Sequence, residues 1–357
     1  MKIAVDYQSA AGRKTGIGVA AENLVTEMRR QAPGIDWLLY SSGKPDLDTP
    51  SRIYWESFEL PRRTRRDRPS LLYTPGFAPP KWGNVPSVVT VHDLIGMAFP
   101  QNQRSAARFY WSFWLPSAIR RARRIVASSE STRRDIERFL KVPGEQVDVV
   151  PLGVERGFRK LEDRSRIQET LKRLDIRQPY FISVSTLEPR KNHLRLLEAY
   201  ELLKQRKKND FSLVIVGKPG GAEKALEAFV REKGLEPFVR FIGYARQDDV
   251  IHLCNAAWGY VMISLYEGFG LPVLEAMSCG LSGVCSNRSS LPEVAGSSAL
   301  LVDPENVEAI AEALEHYAAN RALRATLCEA AYERSKKFST ARCAVKMIEI
   351  FKDEAKK

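Results

Sequence analysis

Two glutamates, Glu267 and Glu275, stand eight positions apart in the stretch SLYEGFGLPVLEAMSCG, Ser264 to Gly280. Paired carboxylates do acid–base work in glycoside hydrolysis when separate elements hold them across a scissile bond, about 5 to 10 Å apart. These two instead frame a single Gly-Phe-Gly-Leu-Pro turn. The turn follows the apolar run GYVMIS and precedes a helical segment that Pro272 can start and Gly280 can stop. Gly268 and Gly270 let the backbone come close to a ligand, and the N–H groups of a helix start suit phosphate oxygens. In that setting the two acids differ. Glu267, in the loop, can reach a reacting group, whereas Glu275, a turn inside the helix, can accept hydrogen bonds from vicinal hydroxyls. The competing reading is a plain strand–turn–helix corner with two solvated acids.

Three further strand ends carry reactive side chains. STLEPRKNH, Ser185–His193, follows the run YFISV and puts Arg190 and Lys191 just past a strand. A guanidinium beside an ammonium can neutralise a diphosphate and stabilise it as a leaving group; two solvated cations before a helix are the alternative. VVTVHDLIGM places His92 and Asp93 after another apolar run. His92 could polarise a hydroxyl while Asp93 fixes the ring or binds substrate, although a single strand-end histidine is more often structural. After KIAVDY, the segment QSAAGRKTGIGVAAENL contains Gly16-Ile17-Gly18-Val19-Ala20-Ala21, a formal Gly-x-Gly-x-x-Ala match. Eight residues separate Tyr7 from Gly16, where a dinucleotide fingerprint needs its tight turn at once. A glycine loop at a helix start, closing on phosphate or sugar, fits better. Asp46-Leu47-Asp48 has the form of a metal-binding Asp-x-Asp but lies in a proline-flanked loop and reads as a turn.

Positioning these loops requires strands in front of them and helices behind. Short β-branched runs alternate with segments of helical period along the whole chain, the pattern of βαβ units and parallel sheets. The first half is expected to hold strands at Lys2–Tyr7, Leu71–Tyr73, Ser87–Val91, Arg124–Ala127 and Val147–Val149, and helices at Val19–Gln31, Arg104–Arg123 and Ser131–Leu140. The second half repeats the alternation, with strands at Phe181–Val184, Ser212–Val216, Val239–Ile242, Gly259–Ile263, Ser282–Cys285 and Leu300–Val302. Its helices are expected at His193–Gln205, Ala222–Lys233, Gln247–Cys254, Leu271–Ser278 and Val307–Asn320. At 357 residues, 44% of them hydrophobic, the chain exceeds one core and can fill two. The expected division is a domain 1–165, a domain 166–338 and a helix 339–357 returning to the first, with the break inside the polar stretch Glu155–Gln178. Ligands of open parallel sheets bind beyond the carboxyl ends of the strands, which puts the expected site in a cleft between the halves.

Charge is uneven. Residues 1–160 hold 26 Lys and Arg against 16 Asp and Glu, and the remainder hold 29 against 27, so the first half carries nearly all of the net +12. That half is expected to meet something anionic. The basic residues gather in PRRTRRDRP and in RFYWSFWLPSAIRRARR, and the second interleaves aromatic rings. It suits either an anionic bilayer or lipid-linked substrate, or a helix with one core face. The five cysteines form no C-x-x-C pair, which argues against a disulfide framework or a zinc site. No apolar run of about 18 residues occurs and the first residues lack signal-peptide blocks, so a cytoplasmic protein is expected.

Taken together, VVTVHDL, VASSESTRRDIERFL, VDVVPLGVE, STLEPRKNHLRLLEAY, LVIVGKPGG, VRFIGYARQDDVIHLCNAA and SLYEGFGLPVLEAMSCG resemble the retaining glycosyltransferases of the GT-B fold, family 4. The resemblance implies two Rossmann-like domains facing a central cleft, acceptor in the first and nucleotide-sugar in the second. It implies that Arg190 and Lys191 hold the diphosphate, Glu275 the ribose, and Glu267 with Gly268, Phe269, Gly270 and Leu271 the donor sugar. Gly217, Lys218 and Tyr244 would flank the base, Gly16 and Gly18 would close over the donor, His92 would lie near the transferred sugar and Asp93 would meet the acceptor. Such enzymes need no metal and keep anomeric configuration without a protein nucleophile. The bacterial members with TLEPRKN and SLYEGFGLP imply a hexosyltransferase, with mannose from GDP-mannose passed to a lipid-linked oligosaccharide at the inner face of the plasma membrane. A UDP-sugar-dependent enzyme of the same fold, a Rossmann oxidoreductase using the Gly16 loop, and a non-enzymatic membrane- or nucleic-acid-binding module are the alternatives, the last without a recognition motif. Two departures stand out. Gly280-Leu281-Ser282-Gly283-Val284-Cys285-Ser286 lacks the proline and β-branched residue common in relatives, which is expected to loosen that strand start. Ser185-Thr186 occupies the turn where many members carry Gly-Arg, so Arg190 is expected to serve for two cations.

Overall fold

The computed structural model describes residues 1–11, 16–44, 46–76, 78–100, 105–206 and 211–356, with only the backbone of Ile17 and Ser105. The chain forms two compact units, Met1–Gly153 with Phe338–Lys357, and Val154–Lys337. The sequence places the first boundary too late, at 165, because residues 154–163 look like linker. They are in fact tied to the second unit: Leu161 N–H donates to Asn255 Oδ1 (2.9 Å) and Asn255 Nδ2 donates to the Arg159 carbonyl (3.0 Å). Lys160 Nζ lies 3.9 Å from the centroid of the Tyr332 ring.

Unit 1 is built on six parallel strands, β1 Lys2–Asp6, β2 Asp36–Tyr40, β3 Leu71–Thr74, β4 Ser87–Val91, β5 Arg124–Ala127 and β6 Val147–Val149, in the order β2-β1-β3-β4-β5-β6. β3 and β4 are buried along their whole length, as a sheet covered on both faces demands. The C-terminal helix Thr340–Lys356 completes this core. Its Met347 and Phe351 join Ile3, Val5, Val25 and Tyr73, with the Phe351 and Tyr73 rings 5.0 Å apart. At Gly153 the outgoing chain meets the returning one, and a Cβ there would lie 2.0 Å from Thr340 N.

Unit 2 carries β7 Tyr180–Val184, β8 Ser212–Val216, β9 Val239–Gly243, β10 Gly259–Met262, β11 Gly283–Ser286 and β12 Leu300–Val302, in the order β12-β11-β10-β7-β8-β9, again all parallel. Chain order runs outward to one side from β7 and to the other from β10. The adjacent β7 and β10 therefore form the switch point, where the loops leaving the strands diverge and open a crevice.

Several elements differ from the sequence-based expectation. β2 (DWLLY) is an edge strand whose alternation is too weakly buried to stand out. Residues 49–67 are helical, with a wide π-type turn at Trp55–Glu59 that breaks the 3.6-residue period. Asp48 caps this helix by accepting from Ser51 N–H (2.9 Å), the role of a turn residue rather than a metal ligand. The first long helix starts at Gly16 rather than Val19, so Gly16 and Gly18 occupy its first turn instead of a free loop. A helical turn at Gln8–Ala11 precedes it, and residues 12–15 of the expected glycine loop lie outside the described residues. The expected helix Arg104–Arg123 is described from Ser105 and ends at Ile119.

Candidate active site

The switch point of unit 2 brings the two strand-end loops together. After β7, Pro189–Lys191 form a short 3₁₀ turn and Asn192 takes a left-handed conformation (φ 63°) that starts the helix His193–Gln205. Asn192 Nδ2 donates to the carbonyls of Ile263 (3.1 Å) and Pro304 (2.6 Å), which fastens this loop to the end of β10. Leu265 N–H donates to the Arg190 carbonyl (2.9 Å), so the loops share a backbone bond.

Glu267 lies where they meet. Its Oε1 accepts from Lys191 Nζ (2.5 Å) and Ser264 Oγ (2.7 Å), and its Oε2 accepts from Arg190 Nη1 (3.2 Å). The side chains of Glu267 and Lys191 are each 9% exposed and that of Arg190 19%, so the pair is largely withdrawn from water. Burial alone would push the Glu267 carboxyl up, but Lys191 and Arg190 outweigh it and hold the group below the ordinary glutamate range. Glu267 is thus an ionised hydrogen-bond acceptor at neutral pH rather than a proton donor. Arg190 also donates through Nε to Glu188 (2.8 Å) and through Nη1 to the Tyr266 carbonyl (3.1 Å), which turns its guanidinium along the loop.

A serine cradle holds the backbone of Glu267. Ser289 Oγ and Ser290 Oγ both donate to its carbonyl (2.5 and 2.9 Å), and its N–H donates to Ser289 Oγ (3.2 Å). Neither serine stood out in the sequence; the only signal was their place before Leu291-Pro292 in a loop following β11. Gly270 caps the helix Leu271–Ser278 at φ 101°, and a Cβ there would press on Leu291 at 2.6 Å. Phe269 is buried, which leaves the backbone of the turn, not this ring, to face a ligand.

Glu275 lies inside that helix and is of a different kind. Burial, reinforced by Glu155, pushes its carboxyl up to about 7. Its carboxyl makes no hydrogen bond or ion pair among the described residues. The acids therefore do not form a matched pair: one is held ionised by two cations, the other is raised and uncompensated.

On the β8 side, Gly217 packs directly on the β7 loop, where a Cβ would lie 1.8 Å from the Ser185 carbonyl oxygen. Leu187 N–H donates to the Lys218 carbonyl (2.9 Å), and Lys218 Nζ stands 4.7 Å from the centroid of the exposed Tyr244 ring. Gly217, Lys218 and Tyr244 thus form one corner beside the Arg190 loop. His193 is buried with Nε2 near Ser185 Oγ (3.2 Å), and burial, then Lys191, pushes it down to about 4, so it is a neutral imidazole. The Gly280–Ser286 departure also has a local account: a Cβ on Gly283 would lie 1.8 Å from the Tyr260 carbonyl oxygen, so close backbone approach demands glycine, and Ser282 Oγ donates to the Ser298 carbonyl (2.5 Å).

The other sequence-derived residues belong to unit 1. His92 Nε2 donates to the Pro75 carbonyl (2.7 Å), which leaves Nδ1 as the acceptor, and Nδ1 has no hydrogen-bond partner among the described residues. Burial pushes the ring down, toward the neutral form. Asp93 Oδ1 accepts from Ile95 N–H (3.1 Å). Both line a cavity of about 400 Å³ together with Asp48, Thr49, Arg52 and Trp111. Gly16 is exposed with open space where a side chain would stand, and Gly18 is buried. Among the described residues no cluster of three or more His, Cys, Asp or Glu side chains could hold a metal ion.

Two family models match the chain, glycosyl transferases group 1 over residues 167–334 and glycosyltransferase family 4 over residues 16–158. The Escherichia coli O-antigen chain mannosyltransferase B is 31% identical over 266 residues, covering 74% of this chain and 70% of that protein. The E. coli serotype-specific mannosyltransferase WbdA is 31% identical over 275 residues, which span 75% of this chain and only 34% of that longer protein. Among solved structures, sucrose-phosphate synthase from Thermosynechococcus elongatus aligns at a TM-score of 0.78 with 19% identity over 99% of this chain and 98% of its own. WaaG, a glycosyltransferase involved in lipopolysaccharide biosynthesis, aligns at 0.75 with 15% identity over 98% and 99%. The Gly16 segment falls inside the family 4 match, which does not favour the oxidoreductase reading. The chain belongs to the family 4 glycosyltransferases and is a glycosyltransferase with the GT-B fold.

Proposed function

We propose that this enzyme transfers mannose from GDP-mannose, with retention of anomeric configuration, to a lipid-linked saccharide in the assembly of a surface polysaccharide. The observation that carries the reading is the Arg190–Lys191–Glu267 cluster at the switch point of unit 2. An arginine and a lysine next to a glycine turn suit a diphosphate. Glu267, kept ionised, can accept hydrogen bonds from the sugar hydroxyls and stabilise positive charge developing at the anomeric carbon. Glu275 suits the ribose hydroxyls, and the Gly217, Lys218 and Tyr244 corner suits the base. The backbone of Gly268, Phe269, Gly270 and Leu271 is assigned to the sugar, and Gly16 and Gly18 keep their assignment to the donor. His92 and Asp93, with the unit 1 cavity, are assigned to the transferred sugar and the acceptor.

In this reading the bond from the anomeric carbon to the β-phosphate oxygen breaks while the acceptor oxygen attacks from the same face. The acceptor proton passes to the departing phosphate, and no protein nucleophile, metal or other cofactor takes part. Mannose is favoured by the mannosyltransferase relatives at 31% identity, and a lipid-linked acceptor by the O-antigen chain that the first of them builds. Such an acceptor would be met at the inner face of the plasma membrane.

The test incubates the pure protein with individual GDP- and UDP-sugars and an extract of lipid-linked saccharides, and follows nucleoside diphosphate release and saccharide growth. GDP-mannose is expected to support both, and Arg190→Gln to slow them by a hundredfold or so, the loss of one charge-stabilising donor. Turnover with UDP-sugars alone would replace the donor, and no turnover with any donor would overturn the reading.

A further inference from the structure

Residues 49–67 and 105–119 form two neighbouring helices of unit 1, joined by Glu56, whose Oε1 and Oε2 accept from Tyr110 Oη (2.8 Å) and Trp114 Nε1 (2.9 Å). The outer faces of these helices carry aromatic pairs. Tyr54 and Phe58, one turn apart, have ring centroids 5.4 Å apart, and Phe109 and Phe113 repeat the arrangement at 5.9 Å. Trp82 belongs to the same region, since its neighbour Lys81 stands 3.8 Å from the centroid of the Trp114 ring. Each of these five rings is more than half exposed. The other described large apolar side chains exposed in unit 1 are Met1, Leu39 and Val345, none of them aromatic. Five water-facing rings on adjoining elements are unusual for a surface meant to stay in water.

The charge around them is one-sided. Arg62 and Arg65 continue the Tyr54–Phe58 stripe at the next helical spacings, and Arg108 and Arg121 flank Phe109 and Phe113 along the chain. Among the described residues no salt bridge engages these four arginines. The sequence has no acidic residue between Leu94 and Ser129 but six arginines. Unit 1 as a whole holds 28 Lys and Arg against 18 Asp and Glu, whereas unit 2 holds 27 against 25. Protein interfaces also favour aromatic rings and arginine, so the deciding feature is the stretch from Leu94 to Ser129 with arginines and no acidic residue, which suits a surface of uniform negative charge. Aromatic rings at headgroup depth with arginines reaching lipid phosphates are what an anionic bilayer surface takes up.

We propose that this face of unit 1 docks on an anionic lipid bilayer. Tyr54, Phe58, Trp82, Phe109 and Phe113 enter the headgroup layer, and Arg62, Arg65, Arg108 and Arg121 neutralise lipid phosphates. The attachment is peripheral, since no described helix is long and apolar enough to cross a membrane. It does not depend on the sugar donor: vesicle binding is read without nucleotide, so its failure would leave glycosyl transfer standing.

The test is co-sedimentation of the full chain with vesicles of phosphatidylethanolamine and phosphatidylglycerol, and with vesicles of phosphatidylcholine alone, at low and high salt. The wild type is expected to sediment with the anionic vesicles, to be released by salt, and to ignore the neutral ones. Arg62→Gln with Arg65→Gln is expected to weaken partitioning about 25-fold, at about fivefold per arginine. Phe58→Ser with Phe113→Ser should abolish sedimentation with the melting temperature unchanged. Equal binding to both vesicle types, no binding to either, or variants that bind like the wild type would overturn the proposal. So would a wild-type dimer in solution that the phenylalanine variants split, which would assign the face to a second copy of the chain.

Discussion

Glu267→Ala separates the structural role of this carboxylate from its chemical one. In the folded protein Lys191 has Glu267 as its ion-pair partner at 2.5 Å, and both side chains are 9% exposed. Arg190 would keep Glu188 and the Tyr266 carbonyl after the substitution, so the main loss falls on Lys191 and Ser264. Removing one partner of a buried ion pair costs about 3–5 kcal/mol, and with Arg190 still satisfied the lower end, about 3 kcal/mol, applies. For a unit of this size that corresponds to a fall of roughly 6–12 °C in melting temperature. GDP carries the diphosphate but lacks the transferred sugar, so it can supply the anion that Lys191 has lost without needing Glu267. Its stabilisation of the variant should therefore exceed that of the wild type, on top of about 2.7 kcal/mol at a hundredfold excess over Kd in either protein. Differential scanning calorimetry with and without GDP, with Glu267→Gln as the shape-preserving control, reads both effects. An unchanged melting temperature for the alanine variant, or equal stabilisation of both proteins by GDP, would refute the assignment of Lys191, paired with Glu267, to a diphosphate.

Burial pushes the Glu275 carboxyl up to about 7, so its carboxylate population grows as pH rises through that value; under the proposed assignment of Glu275 to the ribose, calorimetric GDP affinity should tighten across it, and Glu275→Gln should flatten the profile. Because the folded pKa lies above the unfolded one, the same residue makes the fold lose stability as pH rises from about 4.5 to about 7, by about 3 kcal/mol at most, and Glu275→Gln should remove that slope in denaturant titrations. Gly217→Ala drives a Cβ to 1.8 Å from the Ser185 carbonyl and should displace the Arg190 loop, lowering GDP affinity more than tenfold in calorimetry. Ending the chain at Lys337 removes Cys343, Ala344, Met347, Ile348 and Phe351 from the unit 1 core. At about 1.5–3 kcal/mol for each large side chain, that approaches the whole stability of a domain, so limited proteolysis should digest unit 1 and spare unit 2.

The sequence made most of this site legible because each reactive loop is the direct continuation of a buried β-branched strand. YFISV leads into Arg190 and Lys191, and GYVMIS into Glu267. The helix that Pro272 starts and the strands β7 to β12 follow from the same local rules. What stayed hidden depends on contacts far apart in the chain. Lys191 and Glu267 are 76 residues apart, and the Ser289 and Ser290 cradle lies 22 and 23 residues beyond Glu267 in a polar loop without periodicity. The helix at 49–67 escaped because its wide turn puts Trp55 and Glu56 out of phase. Gly283, read from sequence as a weak strand start, is where the β10 and β11 backbones touch. The unit boundary was misplaced because one asparagine, Asn255, docks a segment whose composition reads as linker.

Retaining transfer from GDP-mannose can be followed by real-time NMR of the donor with a lipid-linked acceptor. The donor's anomeric signal should be replaced, in step with GDP, by that of a single glycoside of the same anomeric configuration. A product of inverted configuration, or free mannose in place of a glycoside, would contradict it.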